Sequence, residues 1–147
     1  LDRYIETLDA NRSYFLASDI ERFEQMRFHV DNYLRKQELD QIFELFDLYR
    51  ERAIDRAEYS MRILSEGFDL NIEESFRFDR STSPWPTDQA QLDDIWRRRV
   101  KNDYLSLKLA GQPHDGILKT LGDRYRQQSR RTKQITSTDV FETSFRS

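Results

Sequence analysis

Cysteine is absent from the 147 residues, which excludes disulfides and thiolate metal sites and leaves the compartment open. Proline occurs three times and glycine four times, too few for a turn-rich β protein or a collagen-like chain. No apolar run approaches the roughly 18 residues that a membrane-spanning helix needs, so no membrane span is expected. The opening LDRYIETLDA lacks the charged-then-apolar form of a signal peptide. Glycine-rich phosphate loops and a GxSxG nucleophile turn are missing, and no serine has lysine three positions later. The two histidines, His29 and His114, lie in unrelated segments and read as ordinary surface or partly packed side chains, with no metal or cofactor site implied.

What is abundant is charge, at 35% of residues, together with ten phenylalanines in a chain that is 37% apolar. That much aromatic surface argues against disorder, and the length suits one domain with its own core. The chain starts inside one apolar-patterned segment without Met and stops at ETSFRS inside another, so a piece of a larger protein is expected. The net charge of −3 is unevenly placed. Residues 1–91 hold 12 basic and 20 acidic groups, and residues 92–133 hold 11 and 5, giving −8 and +6. Such asymmetry predicts halves that face each other or different neighbours.

The clearest helical signal is LDDIWRRRVKNDYLSLKLAG, Leu92 to Gly111. Ile95, Trp96, Val100, Leu105, Leu107 and Leu109 supply its apolar side, with Trp96, Val100 and Tyr104 four apart. Asp88 with Gln91 is placed to cap its start, and Gly111 before Pro113 to end it. Upstream, Leu1 to Leu8 reads as a helix end, closed by the turn formers Asp9 to Ser13. Ser18 with Glu21 predicts a capping box for a helix running to about Lys36 through Leu34. From Leu39 to Glu66 one long helix is expected, its apolar stripe running from Ile42 through Phe46, Ala53 and Ala57 to Leu64, with Arg52 and Arg56 outside it. Residues 68–86 alternate at period two from Phe68 to Phe78, which predicts an extended segment laid over the helices, with room for a short strand. A further helix spans His114 to roughly Gln134, and Thr136 or Ser137 caps a last segment holding Val140, Phe141 and Phe145. The architecture predicted is an all-α bundle of five to six helices with the extended segment across it.

Chemistry is sparse in this pattern. Asp93-Asp94 and Glu73-Glu74 are acid–base candidates by type, but adjacent helical residues point to different sides, and solvated or dipole-matched charges are the expectation. Arg97-Arg98-Arg99 fans through about 200° on a helix instead of forming one patch, which with the acidic balance disfavours nucleic-acid binding. Trp85, between Pro84 and Pro86, reads either as a docking residue or as a lid on its own core.

Three segments in order, LDANRSYFLASDIERFE, SPWPTDQAQLDDIWRRRVKNDYLSLKLAGQ and TKQITSTDVFETSF, resemble the N-terminal helical domain of tail-specific proteases, the bacterial C-terminal processing peptidases. The resemblance implies a periplasmic serine endopeptidase that binds apolar C-terminal tails of polypeptide substrates through a PDZ domain and cleaves with a Ser-Lys dyad. Both of those domains would lie downstream, so no catalytic residue is carried onto this stretch. It further implies a wall or platform around a proteolytic chamber and, as in some members of the family, contact with a tetratricopeptide-repeat lipoprotein adaptor. Trp85, Arg12 and Tyr14 are the candidate interface residues. Gly116 and Gly122 depart mildly from the strong helix formers expected after His114. The rival reading is a free-standing helical module whose oppositely charged halves drive self-association.

Overall fold

The computed structural model describes residues 2–28, 34–136 and 139. Five helices follow in order: α1 (Asp2–Leu8), α2 (Ala17–Phe28), α3 (Leu34–Glu66), α4 (Gln89–Leu109) and α5 (His114–Gln134). The 33-residue α3 is the spine and contacts each of the other four. At 1.5 Å per residue it extends about 50 Å, long enough to carry two separate cores along its length. Toward its C-terminal end, Leu64 joins Val100 and Tyr104 of α4 and Ile117, Leu121 and Tyr125 of α5. Toward the other end, Leu45 packs with Ile5, Phe15, Ile20 and Phe23. Tyr59, Leu92 and Trp96 form a third cluster.

The ends of α4 follow the sequence closely. The Asp88 carboxylate accepts the Gln91 amide at 2.9 Å, and the Gln91 side chain reaches back to the Thr87 amide at 3.0 Å. At the other end Gln112 N–H bonds to the Leu107 carbonyl and Gly111 N–H to that of Lys108, a Schellman closure whose left-handed residue is Gly111 at φ 89°. Leu109, counted with the apolar side in the sequence, is 88% exposed, because it falls in the last turn beyond the reach of α5.

Other boundaries shift. Helix α2 starts at Ala17, and it is Asp19, not Ser18 with Glu21, that closes its N-terminus, taking the Leu16 amide at 2.9 Å. Leu34 opens α3 instead of belonging to the preceding helix. Thr136 and Asp139 form a reciprocal cap, with each side chain accepting from the other's amide, while Val140, Phe141 and Phe145 lie outside the described residues.

Residues 67–88 form a helix-free strap, and the described residues contain no strand. A strand needs a partner ladder, and the strap lies against helix side chains instead. Its period-two residues accordingly do not share a buried face: Ile72 is 53% and Phe78 72% exposed.

Candidate interaction surface

The turn between α1 and α2 sets the geometry of everything nearby. Asp9 is buried, and its carboxylate accepts the amides of Ser13, Tyr14 and Phe15 at 2.8–2.9 Å. Burial pushes its pKa up, and the three N–H donors work against that rise. The turn so fixed presents the Ser13 carbonyl to the Trp96 indole N–H at 2.6 Å. It also drives the Phe15 ring fully into the core.

Two clamps hold the strap down. The first lies on α4: the Lys101 ammonium donates to the carbonyls of Asp69 and Ile72 and to the Glu74 carboxylate, at 2.8–3.0 Å. Arg97 takes the same carboxylate in a two-pronged pair at 2.6 and 2.8 Å. Hydrogen bonds from Arg97 and Lys101 hold the Glu74 pKa down to about 2. The second clamp is the α1–α2 turn. Ala17 N–H bonds to the Pro86 carbonyl at 2.8 Å, and Arg12 donates to the Ser83 carbonyl at 2.8 Å while its guanidinium stacks over the Trp85 ring at 5.0 Å. Arg12 adopts φ 52°, a left-handed conformation that costs of order 1 kcal/mol or more in a non-glycine residue, and these strap contacts hold it there.

The three candidate interface residues therefore gather around one corner. Trp85 is half-buried, one face against Phe15 and Arg12, and the remainder lines a groove of ≈ 710 Å³ with Pro84, Pro86 and the first turns of α4. It is at once a lid on the Phe15 core and a wall of an open groove. Tyr14 points the other way, its ring 5.2 Å from Tyr49 and 5.3 Å from Trp96. Burial raises its pKa and that of Tyr49, the latter to about 12. Tyr14 is core cement more than contact surface.

Three of the four paired acids, Glu74, Asp93 and Asp94, are structural latches, while Glu73 is exposed as a solvated charge. Besides Glu74, Asp93 accepts Arg56 at 2.7 Å and Asp94 pairs with Arg97 and Arg98. Arg56 itself is only 2% exposed, held between Asp55 and Asp93 with its guanidinium over the Tyr59 ring. The stripe on α3 gave no hint of it, since its partner Asp93 comes from α4. The three consecutive arginines part as their spacing predicts: Arg97 and Arg98 toward the strap, Arg99 onto the Trp96 ring. At Glu74 an acid of the first part meets cations of the second, whereas Arg56 and Asp93 pair across the same divide with the signs reversed.

Hydroxyls near bases are accounted for structurally. Tyr104 shares a 2.8 Å hydrogen bond with His114 Nδ1, tying α4 to the start of α5, and Tyr125 donates to Asp103 at 2.8 Å. Among the described residues no group of three His, Asp or Glu side chains is arranged to hold a metal ion, and no helix is long and apolar enough to cross a membrane.

The family model described as "Tail specific protease N-terminal domain" matches residues 1–147. The chain belongs to that family. It is also 33% identical over 140 residues to a tail-specific protease of Haemophilus influenzae, an alignment covering 95% of this chain and 20% of the relative. This tail-specific protease N-terminal domain thus spans about a fifth of the length of the curated relative it matches. Its all-helical fold is the one that helical periodicity predicted and that the resemblance to a helical domain implied. The polar groups at its centre are consumed in fastening turn, strap and helices to one another.

Proposed function

We propose that these residues are the non-catalytic N-terminal domain of a periplasmic serine endopeptidase, followed in the same chain by PDZ and Ser-Lys protease domains. In this reading the domain walls the proteolytic chamber and offers a docking surface to polypeptide substrates with apolar C-terminal tails, or to a tetratricopeptide-repeat lipoprotein adaptor. Family membership supports the parent activity. The observation that carries the docking role is the Trp85 groove, a rigid aromatic wall between two prolines, fixed from behind by Phe15 and Arg12.

The test compares two substrates with the full-length chain. Trp85→Ala should slow cleavage of a folded protein bearing an apolar tail, while hydrolysis of a short peptide stays within about two-fold, as expected for a contact remote from the reacting bond. Equal slowing of both substrates would place Trp85 in support of the catalytic body and remove the docking role. Residues 1–147 prepared alone should hydrolyse neither substrate, and any activity in that preparation would sink the non-catalytic reading.

A further inference from the structure

On the other side of Arg80 from the Trp85 groove lies a second cleft of ≈ 290 Å³, between the strap and the middle of α4. Arg77 and Arg80 reach it from the strap and Arg99 from the helix, and its walls include Phe76, Phe78 and Trp96. Among the described residues, none of these three arginines stands in an ion pair, unlike Arg97, Arg98 and Lys101 one turn away. Arg77 instead donates to the Ser83 hydroxyl at 3.3 Å, and Arg80 to the Pro84 carbonyl at 3.3 Å. Arg80 Nε is a buried N–H with no acceptor. Burial first and the neighbouring Arg77 second pull the Arg80 pKa down, while the Asp9 carboxylate, already holding three backbone amides, pulls it up. Asp103 is the one carboxylate on the wall, and it already accepts the Tyr125 hydroxyl.

The geometry points to a site for the side-chain carboxylate of an acidic polypeptide segment, seated on Arg80 between Arg77 and Arg99, with an apolar neighbour on that segment packing against Phe78. A guanidinium fork matches a carboxylate, and the arginines lining the cleft offer it three such forks. The exposed edge of Phe78, T-stacked on Phe76 at 5.0 Å, supplies apolar area beside the charge. A nucleic acid fits less well: the cleft gathers three cations in one spot beside an acid, not a row spaced along a phosphate backbone, and the chain carries −3 overall. The site adjoins the Trp85 groove through Arg80 and Ile95 but does not depend on the docking role given to that groove.

A photo-crosslinking experiment on the full-length chain tests the site in place. The probe is an acetylated, amidated hexapeptide with two glutamates beside a benzophenone-bearing phenylalanine, and its label is mapped by mass spectrometry. Labelling within residues 76–80 or 95–99 is expected, falling roughly ten-fold when the glutamates become glutamines, the effect of losing a charge-assisted hydrogen bond. Arg80→Gln should lower it similarly. Arg77→Gln, on an exposed side chain whose loss does not threaten the fold, should lower it at least several-fold. Equal labelling by the glutamine peptide, or labelling indifferent to Arg77→Gln in a helical protein, would overturn the site. Equal labelling by a glutamine peptide with a free C-terminus would overturn the side-chain source, and displacement by a single-stranded oligonucleotide at lower concentration than by the peptide would overturn the polypeptide class.

Discussion

The Trp96 indole donates to the Ser13 carbonyl at 2.6 Å, joining residues 83 positions apart. That bond links α4, the helix with the strongest sequence signal, to a turn whose role the sequence left obscure. Trp96 is 3% exposed and stacked under Arg99, so its ring packs and its N–H positions. Trp96→Ala should destabilise the protein by roughly 3–5 kcal/mol, the range for large buried aromatics. Trp96→Phe keeps most of the packing and removes the donor, for a cost of about 1–2 kcal/mol. Urea unfolding followed by circular dichroism measures both.

Asp9 holds three amides with two oxygens. Asp9→Ala would orphan Ser13, Tyr14 and Phe15 N–H together, and a loss on the order of 3–5 kcal/mol is expected. Asp9→Asn should cost less, because its single carbonyl oxygen can still accept the Tyr14 and Phe15 pair while its amide faces Ser13 N–H. An alanine variant as stable as the parent would show that water replaces the carboxylate.

Glu74 ties the strap to α4, and its pKa is held down to about 2 from an ordinary 4.5. A depressed carboxyl pKa means the folded state releases its proton more readily than the unfolded chain. The latch therefore contributes fully above pH about 4.5, and its contribution is lost as the pH falls toward about 2. Asp9, with its raised pKa, has the opposite slope, so the comparison must be with Glu74→Gln. The stability difference between parent and variant should shrink across that window in thermal melts, and a difference independent of pH would refute the latch.

Gly111 closes α4 at φ 89° with open space where a Cβ would stand. Gly111→Ala should thus cost about 1 kcal/mol from backbone strain alone, with no steric clash. A larger loss in melting experiments would signal a distortion propagated into α5.

Much of this fold could be read along the chain because its information is local. Periodicity, the Asp88–Gln91 cap, the Gly111 stop and the span His114–Gln134 each depend on residues within a few positions of one another, and they hold in the structure. The resemblance carried by three ordered segments likewise named the family. Ser18 and Asp19 both suit an N-terminus, and in the structure the helix begins at Ala17, whose N–H bonds to the distant Pro86 carbonyl, so that Asp19 is the one that takes the Leu16 amide.

The candidate site was legible only in part. Trp85 and Arg12 could be singled out by composition and context, but not that one would stack on the other. Arg56, Lys101 and Arg80 look like surface charges in a helical or loop pattern, since a long polar side chain has no periodic signature of burial. Each acquires its character from an element distant in sequence: Asp93 for Arg56, the strap carbonyls for Lys101, the Asp9 carboxylate of the α1–α2 turn for Arg80. The sequence alone determined the helical class, both ends of α4 and the span of α5, because backbone hydrogen bonding and hydrophobic period are short-range. Tertiary structure decided which charges became latches and which arginines were left without one, because desolvation and Coulomb attraction depend on distances that only folding creates.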